Sequence, residues 1–358
     1  MNRKIAAITG ISGQDGSYLA EFLLEKEYQV IGIVRRTSHK NLSRIEHLIS
    51  KYGSGENNLD RLILNYGDLS DSSSLKKIIS KFNPDEFYNL GAQSHVGISF
   101  DNALSTLDFD TLGVLRILDS LREIKSDCRF YQASSSEIFG NSPPPQNENT
   151  TMLPRSPYAI AKLASYHLTR LYREAYGMHA SNGILFNHES PKRGLNFVTR
   201  KITSQLAEIA VGERKKITLG NLEAKRDWGF SGEYIQAMWK MLQQESPDDF
   251  VISTDETHTV RDFLNEAFSL LNLDYKDYVQ IDNQFKRPSE VPELLGDSTK
   301  ARQILGWEPK IKFKELTRMM VVEDLKEKFK DRQLISSEEA NIKEDNFYIN
   351  KAIKLINN

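Results

Sequence analysis

IAAITGISGQDGSYLAEFLLEK, residues 5 to 26, runs from a short apolar stretch through three glycines into a helical pattern. IAAIT reads as a buried strand, and SYLAEFLLEK carries apolar residues at three- and four-residue steps, the spacing of one helix face. Gly10, between them, permits a tight turn, Gly13 lets the backbone approach a pyrophosphate at the helix N-terminus, and Gly16 lets the helix lie close on the strand. A glycine triplet alone is common. The strand before it and the helix after it make this one a nucleotide-binding turn.

The first half of the chain repeats that unit. Apolar runs at YQVIGIV (28 to 34), LILNYG (62 to 67), EFYNLGA (86 to 92), RFYQAS (129 to 134) and HASNGILF (179 to 186) alternate with helical patterns at SSLKKIISKF, LGVLRILDSLREI and YAIAKLASYHLTRLYREAYG. Such alternation builds a parallel sheet with right-handed crossovers and helices on both faces. The expected fold is α/β, a Rossmann-type doubly wound parallel sheet over residues 1–186. After Asn187 the pattern loosens into helices at 197–212 and 260–273, short strands at KITLG and DFVIST, and loops. This texture predicts a smaller C-terminal α/β substrate-binding lobe over residues 187–335, its chain partly interleaved with the first domain. The polar end, 336–358, reads as a surface tail or peripheral helix.

With 358 residues and a formal net charge of -2, the chain can bury a large core and has no global pull toward nucleic acid or an anionic membrane. Its single cysteine, Cys128, excludes an internal disulfide framework and fits a reducing compartment, as a small buried apolar residue. MNRKIAAITG meets a glycine after too short an apolar run for a signal peptide, and no later stretch reaches the length of a membrane span. A soluble, cytoplasmic protein is expected. The seven histidines show no ligand spacing, so no metal is expected. His95 and His188 read as hydrogen-bonding site residues.

At the end of the second strand, NAD would want a carboxylate for its ribose hydroxyl, yet the chain reads IVRRTS. Arg35 and Arg36 favour a 2′-phosphate instead, hence NADP. Asp68 and Leu69, after the third strand, would flank the adenine. Leu90, Ala92 and Ser94, after the fourth, would line the ribose and nicotinamide side.

RSPYAIAK, residues 155 to 162, puts Tyr158 and Lys162 on one helix face after a Ser-Pro break. Such a pair also arises by chance, but an ammonium beside a phenol favours the phenolate, a base suited to neutral pH. The strand ending at Ala133 leads into SSSE, so Ser135 and Glu137 emerge at the carboxyl edge of the sheet, where open α/β sheets bind ligands. Together these groups suit hydride transfer. Tyr158 takes a hydroxyl proton as hydride leaves the same carbon, Lys162 holds the phenolate and the nicotinamide ribose, and Ser135 hydrogen-bonds the reacting oxygen. Glu137 extends the chemistry: once C4 of a sugar is a ketone, the C5 proton is acidic, and a carboxylate can remove it while C6 loses water.

With YGDLSD, YNLGAQSHV, YQASSSEIFG, NHESPKRG, FVTRKI, LGNLEAKRDWG and RPSEVPELLGDSTKA, these motifs make residues 3 to 330 resemble the GDP-mannose 4,6-dehydratases, a family of the extended short-chain dehydrogenase/reductase superfamily. The glycine turn, spaced G-x-x-G-x-x-G, and the Tyr-Lys pair belong to the whole superfamily; NHESPKRG, FVTRKI and RDWG are far more specific. The resemblance implies a catalytic set of Ser135, where the family usually has threonine, with Glu137, Tyr158 and Lys162. It implies NADP contacts from Gly10, Ile11, Ser12, Gly13, Gln14, Asp15, Gly16, Ser17 and Tyr18, and from Arg35, Arg36, Thr37 and Ser38. Further contacts are implied at Asp68, Leu69, Leu90, Gly91, Ala92, Gln93, Ser94, Tyr158, Lys162, His188 and Arg193. Substrate contacts are implied at Ser94, Asn187, Lys201, Arg226, Arg287 and Glu290. Of these, Lys201, Arg226 and Arg287 are cations suited to the two phosphates of a GDP-sugar. The implied reaction turns GDP-mannose into GDP-4-keto-6-deoxy-mannose, with tightly bound NADP reduced and reoxidised in each turnover. The implied assembly is a homotetramer or homodimer, in which the segment after the two arginines reaches a neighbour's cofactor site.

Three departures surround the sugar and adenosine end. Leu195 stands where relatives often have glutamate, Ser105 replaces a tyrosine near the ribose, and the stretch from Leu273 to Arg287 is short. A GDP-heptose or another nucleotide hexose therefore stays open as substrate. A nucleotide-sugar decarboxylase or epimerase is a second enzymatic reading, since a similar strand end occurs there, and the NHESPKRG to RDWG block separates the two. A regulator that binds NADP without chemistry has no reason to keep all four catalytic groups.

Overall fold

Each strand of the central sheet is brought back to the same edge by a helix, so all seven run parallel. The structure, a computed structural model, describes residues 3–38, 41–53, 60–282, 284, 288–331 and 352–356. It opens with β1 (Ile5–Thr9), α1 (Gln14–Glu25), β2 (Gln29–Val34), α2 (Glu46–Tyr52), β3 (Leu62–Tyr66), α3 (Ser72–Phe82) and β4 (Glu86–Asn89). Two short helices, α4 (Ile98–Asp101) and α5 (Ala103–Leu107), and a π-turn at Asp108–Leu112 lead into α6 (Gly113–Ile124). β5 (Arg129–Ser135), α7 (Pro157–Tyr176) and β6 (Ala180–Leu185) follow. Next come β7 (Asn187–Glu189), α8 (Val198–Ala210), β8 (Ile217–Leu219), β9 (Lys225–Arg226), β10 (Trp228–Phe230), α9 (Ser231–Gln243) and β11 (Asp249–Ile252). The last elements are β12 (His258–Thr259), α10 (Val260–Ser269), β13 (Val279–Ile281) and α11 (Phe313–Asp331).

The sheet order is β11-β6-β5-β4-β1-β2-β3, the doubly wound α/β arrangement expected from the alternating pattern. The order in which strands are added reverses between β1 and β4, which stay parallel with Thr9 and Asn89 ending side by side, so the loops after them part and open a crevice. Alternation along the strands fills both faces. Ala6, Ile8, Val30 and Tyr88 pack with Leu19 and Leu23 of α1 and Met238 of α9. Ala7, Ile31, Phe87 and Phe130 pack on the other face with Leu75 of α3 and Ile117 and Leu121 of α6. A further core joins α8, α10 and α11 around Leu206, Trp228, Phe263, Met320 and Phe329.

α7 starts where it does because Ser156 Oγ accepts from Ala159 N–H and Pro157 takes the first helical position, and it ends at left-handed Gly177. That start sets the helix phase which buries Tyr158 and Lys162.

Two stretches depart from the expected texture. DFVIST, read with the loosened second half, supplies β11, the seventh strand of the main sheet, parallel to β6. All four of its residues are buried, as in a strand covered on both faces. Residues 352–356, within the stretch read as a surface tail or peripheral helix, are helical, but Ala352 is buried in the α8–α10–α11 core and not at the surface. The apolar spacing of Ala352, Ile353, Leu355 and Ile356 gives that turn a face to pack.

Candidate active site

Gly10 turns with φ +69°, and a Cβ there would lie 2.9 Å from Gly91 N, so glycine is what lets β1 turn against the loop after β4. Thr9 closes the junction: its Oγ1 donates to Asn89 Oδ1 at 2.6 Å and accepts from the N–H groups of Leu90 and Gly91, each at 3.0 Å. A Cβ on Gly16 would meet Gly10 O at 2.2 Å, which makes this the glycine of close helix packing. Gly13 differs. Its φ of -76° suits any residue, and the nearest described atom to a Cβ would be Gly10 O at 3.1 Å. No side chain caps α1 at Gly13, which leaves the first-turn N–H groups able to receive an anion.

The side chains of this turn look inward. Gln14 Nε2 donates to His188 O at 3.0 Å, and its Oε1 accepts from Ser190 Oγ at 2.8 Å. Asp15 accepts from Ser231 Oγ at 2.7 Å and from His188 Nε2 at 2.8 Å. His188 Nδ1 donates to Phe186 O at 2.7 Å, so both ring nitrogens carry protons. Burial opposes the imidazolium, but the Asp15 carboxylate outweighs it and raises His188, while His188 holds Asp15 well below the usual carboxylate range despite burial. Gln14, Asp15 and His188, expected to contact the cofactor, thus pair with one another and tie α1 to β7. Ile11 and Ser17 are buried, and Tyr18 lies under Lys192 Nζ at 4.1 Å and edge-on to Phe230.

Arg35, Arg36, Thr37 and Ser38 are exposed after β2, with the Arg35 guanidinium 5.9 Å from the Phe109 ring centre. Arg44 turns back to the glycine turn, donating from Nε to Lys192 O at 2.7 Å and from Nη1 to Ser12 O at 3.4 Å. Asp68 Oδ1 accepts from Ser70 N and Oγ, and Leu69 packs beside Gly91 and Gly113. Leu90 and Ala92 are half-buried on the crevice loop. Gln93 holds that loop internally through His95 and Thr106, while Ser94 is exposed.

The four expected catalytic groups converge at the end of β5. Ser135 Oγ accepts from Glu137 N–H at 3.2 Å, a cap that turns both side chains out together, yet each residue is less than one-tenth exposed. Ser135 lies beside Tyr158 and favours its phenolate. Lys162 Nζ donates to Ala133 O at 2.9 Å and lies 5.8 Å from the Tyr158 ring centre. Burial first, and Asp110 next, hold the Tyr158 phenol well above its ordinary value, and burial lowers Lys162. Lys162 alone does not offset the desolvation of a fully buried phenol.

The second lobe brings a cation to this group. Arg226 Nη1 donates to Lys225 O and Val291 O at 2.8 and 2.9 Å, and its Nη2 lies 3.9 Å from Glu137 Oε1. Lys201 Nζ donates to Thr218 O at 2.8 Å, beside an open pocket lined by Thr218, Gln280, Ile281 and Asp282. Asn187 opens β7 opposite Trp228, and Glu290 is half-buried just before Val291. Arg193 Nε lies 3.0 Å from Glu189 Oε2 and its guanidinium covers Phe197. Arg287 lies outside the described residues. Two site residues escaped the sequence reading: Thr9, which carries no motif, and Asp110, whose one signal is an acid inside an amphipathic helical stretch.

A parallel sheet with this glycine turn and a buried Ser-Tyr-Lys group defines an extended short-chain dehydrogenase/reductase. Comparison narrows the class: a family model described as GDP-mannose 4,6 dehydratase matches residues 7–320. GDP-mannose 4,6 dehydratase 1 of Arabidopsis thaliana is 54% identical over 328 residues, 90% of each chain. The GDP-mannose 4,6 dehydratase of Homo sapiens is 50% identical over 344 residues, covering 90% of this chain and 92% of its own. Among solved structures, dTDP-glucose 4,6-dehydratase from Bacillus anthracis, in complex with NAD, superposes with a TM-score of 0.76 at 18% identity over 92% of this chain and 98% of its own. The chain belongs to the GDP-mannose 4,6-dehydratase family.

Proposed function

We propose that this chain converts GDP-mannose to GDP-4-keto-6-deoxy-mannose, with NADP as its cofactor. The observation that carries the reading is the convergence of Ser135, Glu137, Tyr158 and Lys162 in one buried group, with Arg226 beside Glu137. The cofactor fits the crevice: the turn admits no Cβ at Gly10 or Gly16, and α1 presents an uncapped first turn to a pyrophosphate. Arg35 and Arg36, exposed where the adenosine ribose is held, favour the 2′-phosphate of NADP over NAD. When bound, NADP supplies the hydride acceptor for C4 and the hydride returned to C6. Tyr158 takes the C4 hydroxyl proton while Ser135 steadies that oxygen, and Lys162 favours the phenolate. Glu137 takes the C5 proton and gives a proton to the departing C6 hydroxyl, which leaves as water; C5 regains a proton as C6 is reduced, which balances the proton taken from the C4 hydroxyl. Arg226, buried and fixed by two carbonyls, orients Glu137 and faces the substrate phosphates with Lys201.

Assembly as a homotetramer or homodimer and a cytoplasmic location belong to the same reading. Among the described residues, no helix is long and apolar enough to cross a membrane. Incubation of the purified protein with GDP-, CDP- and UDP-sugars, read by mass spectrometry, tests the activity: GDP-mannose loses one water, and an unaltered GDP-mannose beside a dehydrated GDP-heptose or other sugar overturns the substrate.

A further inference from the structure

Asp227 has no part in that scheme, yet it directly follows Arg226 and is fully buried, between β9 and β10. Arg226 reaches the catalytic group, whereas the Asp227 carboxylate meets the turn after β11 and the arm of residues 288–297. Its Oδ1 accepts from Thr254 N–H at 2.8 Å and from Thr254 Oγ1 at 2.6 Å. Its Oδ2 accepts from the N–H groups of Asp255 at 3.1 Å and Gly296 at 3.4 Å. A Cβ on Gly296 would lie 2.3 Å from that of Ser253, so glycine is what lets the arm pass there. Burial pushes the Asp227 acid up to about 7, and the donors from Thr254 and Gly296 work against it. Four donors match the four acceptor sites of an ionised carboxylate. Asp255, the charge beside it, is itself answered by Arg302, whose Nη2 lies 2.6 Å from Asp255 Oδ2.

The arm lies along β9. Lys225 N–H donates to Pro292 O at 2.9 Å, Leu294 N–H donates to Lys225 O at 3.2 Å, and Arg226 Nη1 donates to Val291 O at 2.9 Å. Asp227 extends this pairing to Gly296, so two neighbouring side chains hold one arm at two points, and a shift of the arm would carry off a carbonyl that fixes the Arg226 guanidinium. We propose that Asp227 is a positioning residue for substrate binding: by joining the turn after β11 to the arm at Gly296, it holds Arg226 where it meets the phosphates of the GDP-sugar. This rests on the role given above to Arg226. Asp227→Asn isolates the effect, because a carboxamide keeps one acceptor oxygen for Thr254 but turns an N–H2 group toward the N–H groups of Asp255 and Gly296.

The test is a double-mutant cycle on GDP affinity, titrated by calorimetry, with NADP affinity and the single-turnover rate of nicotinamide reduction at saturating GDP-mannose measured alongside. In the native background Asp227→Asn should weaken GDP roughly tenfold, with NADP affinity and the saturated rate each within about threefold. In an Arg226→Met background it should weaken GDP no further. Equal weakening in both backgrounds, a matching loss of NADP affinity, or an unchanged GDP affinity in the native background makes Asp227 a structural cross-link alone and overturns the proposal. Should Asp227→Asn not fold, Thr254→Val, which removes the hydroxyl donor, should weaken GDP about threefold in the native background and not in Arg226→Met; an unchanged GDP affinity, or equal weakening in both, overturns the proposal. Arg226→Met that binds GDP like the native protein refutes instead the underlying role of Arg226.

Discussion

Alanine at Gly16 and at Gly13 separates the two jobs of the glycine turn. A Cβ on Gly16 would fall 2.2 Å from Gly10 O and 2.6 Å from Ile11 Cα, roughly 1 Å inside the ~3.5 Å at which non-bonded atoms settle. Both obstacles are backbone, so α1 must lift from β1. Overpacking of this kind costs about 1–3 kcal/mol, against which alanine returns up to about 1 kcal/mol of helix propensity. With backbone on both sides the cost lies at the upper end, about 2–3 kcal/mol, so the net loss is about 1–2 kcal/mol and lowers Tm by a few degrees in a chain of this size. Gly13→Ala brings its Cβ to 3.1 Å from Gly10 O, a smaller conflict that a shift of a few tenths of an ångström relieves, and its weaker helix cap costs roughly 0.5–1 kcal/mol. Its methyl group instead stands where the pyrophosphate must approach, so NADP affinity should fall at least about tenfold, ~1.4 kcal/mol. Differential scanning fluorimetry without added nucleotide gives the first effect and calorimetric titration with NADP the second. Gly13→Ala that binds NADP like the native protein refutes the pyrophosphate assignment, and Gly16→Ala of unchanged Tm refutes the packing argument.

Replacing Arg35 and Arg36 with alanine should weaken NADP far more than NAD, because the 2′-phosphate is present in NADP alone; equal losses in titration would remove the basis for NADP. His188→Gln should cost roughly 1.5–3 kcal/mol at pH 6, the worth of hydrogen bonds to charged groups. Since His188 is raised above 6.5 and Asp15 held below 3.8, their pairing contributes fully between those values and fades as pH climbs through the raised His188 value. The Tm gap from the native protein should therefore be wide at pH 6 and narrower at pH 10, and a constant gap would show that the imidazolium is not its source. If the segment after Arg36 crosses to a neighbour, Arg35→Glu should shift the native mass toward smaller assemblies and lower activity together. A fully active smaller assembly would refute the crossing.

Strand and helix alternation was legible because each unit carries its own periodicity, and the glycine turn because backbone clearance depends on residue type. The sheet that β11 joins is not legible, since four buried residues have no period, and only the tertiary pairing with β6 assigns them to one. Tyr158 and Lys162 could be found from their spacing. Their proton affinities could not, because these depend on burial and on Asp110, 48 positions earlier in the chain than Tyr158. The same limit applies to Asp15 and His188. The resemblance implies a cofactor contact at each, whereas the pairing between them arises from the fold bringing α1 to β7.

The central claim is that Tyr158 and Glu137 perform separate steps, oxidation at C4 and loss of water across C5 and C6. Single-turnover absorbance of the nicotinamide, recorded alongside mass analysis of the sugar, tests it most directly in Glu137→Gln, which keeps shape and hydrogen bonding but cannot exchange a proton. The account predicts reduced cofactor and a 4-keto sugar that retains its water, with 6-deoxy product forming ~10²–10⁴ more slowly, while Tyr158→Phe blocks cofactor reduction itself. Water loss by Glu137→Gln at a near-native rate would contradict it.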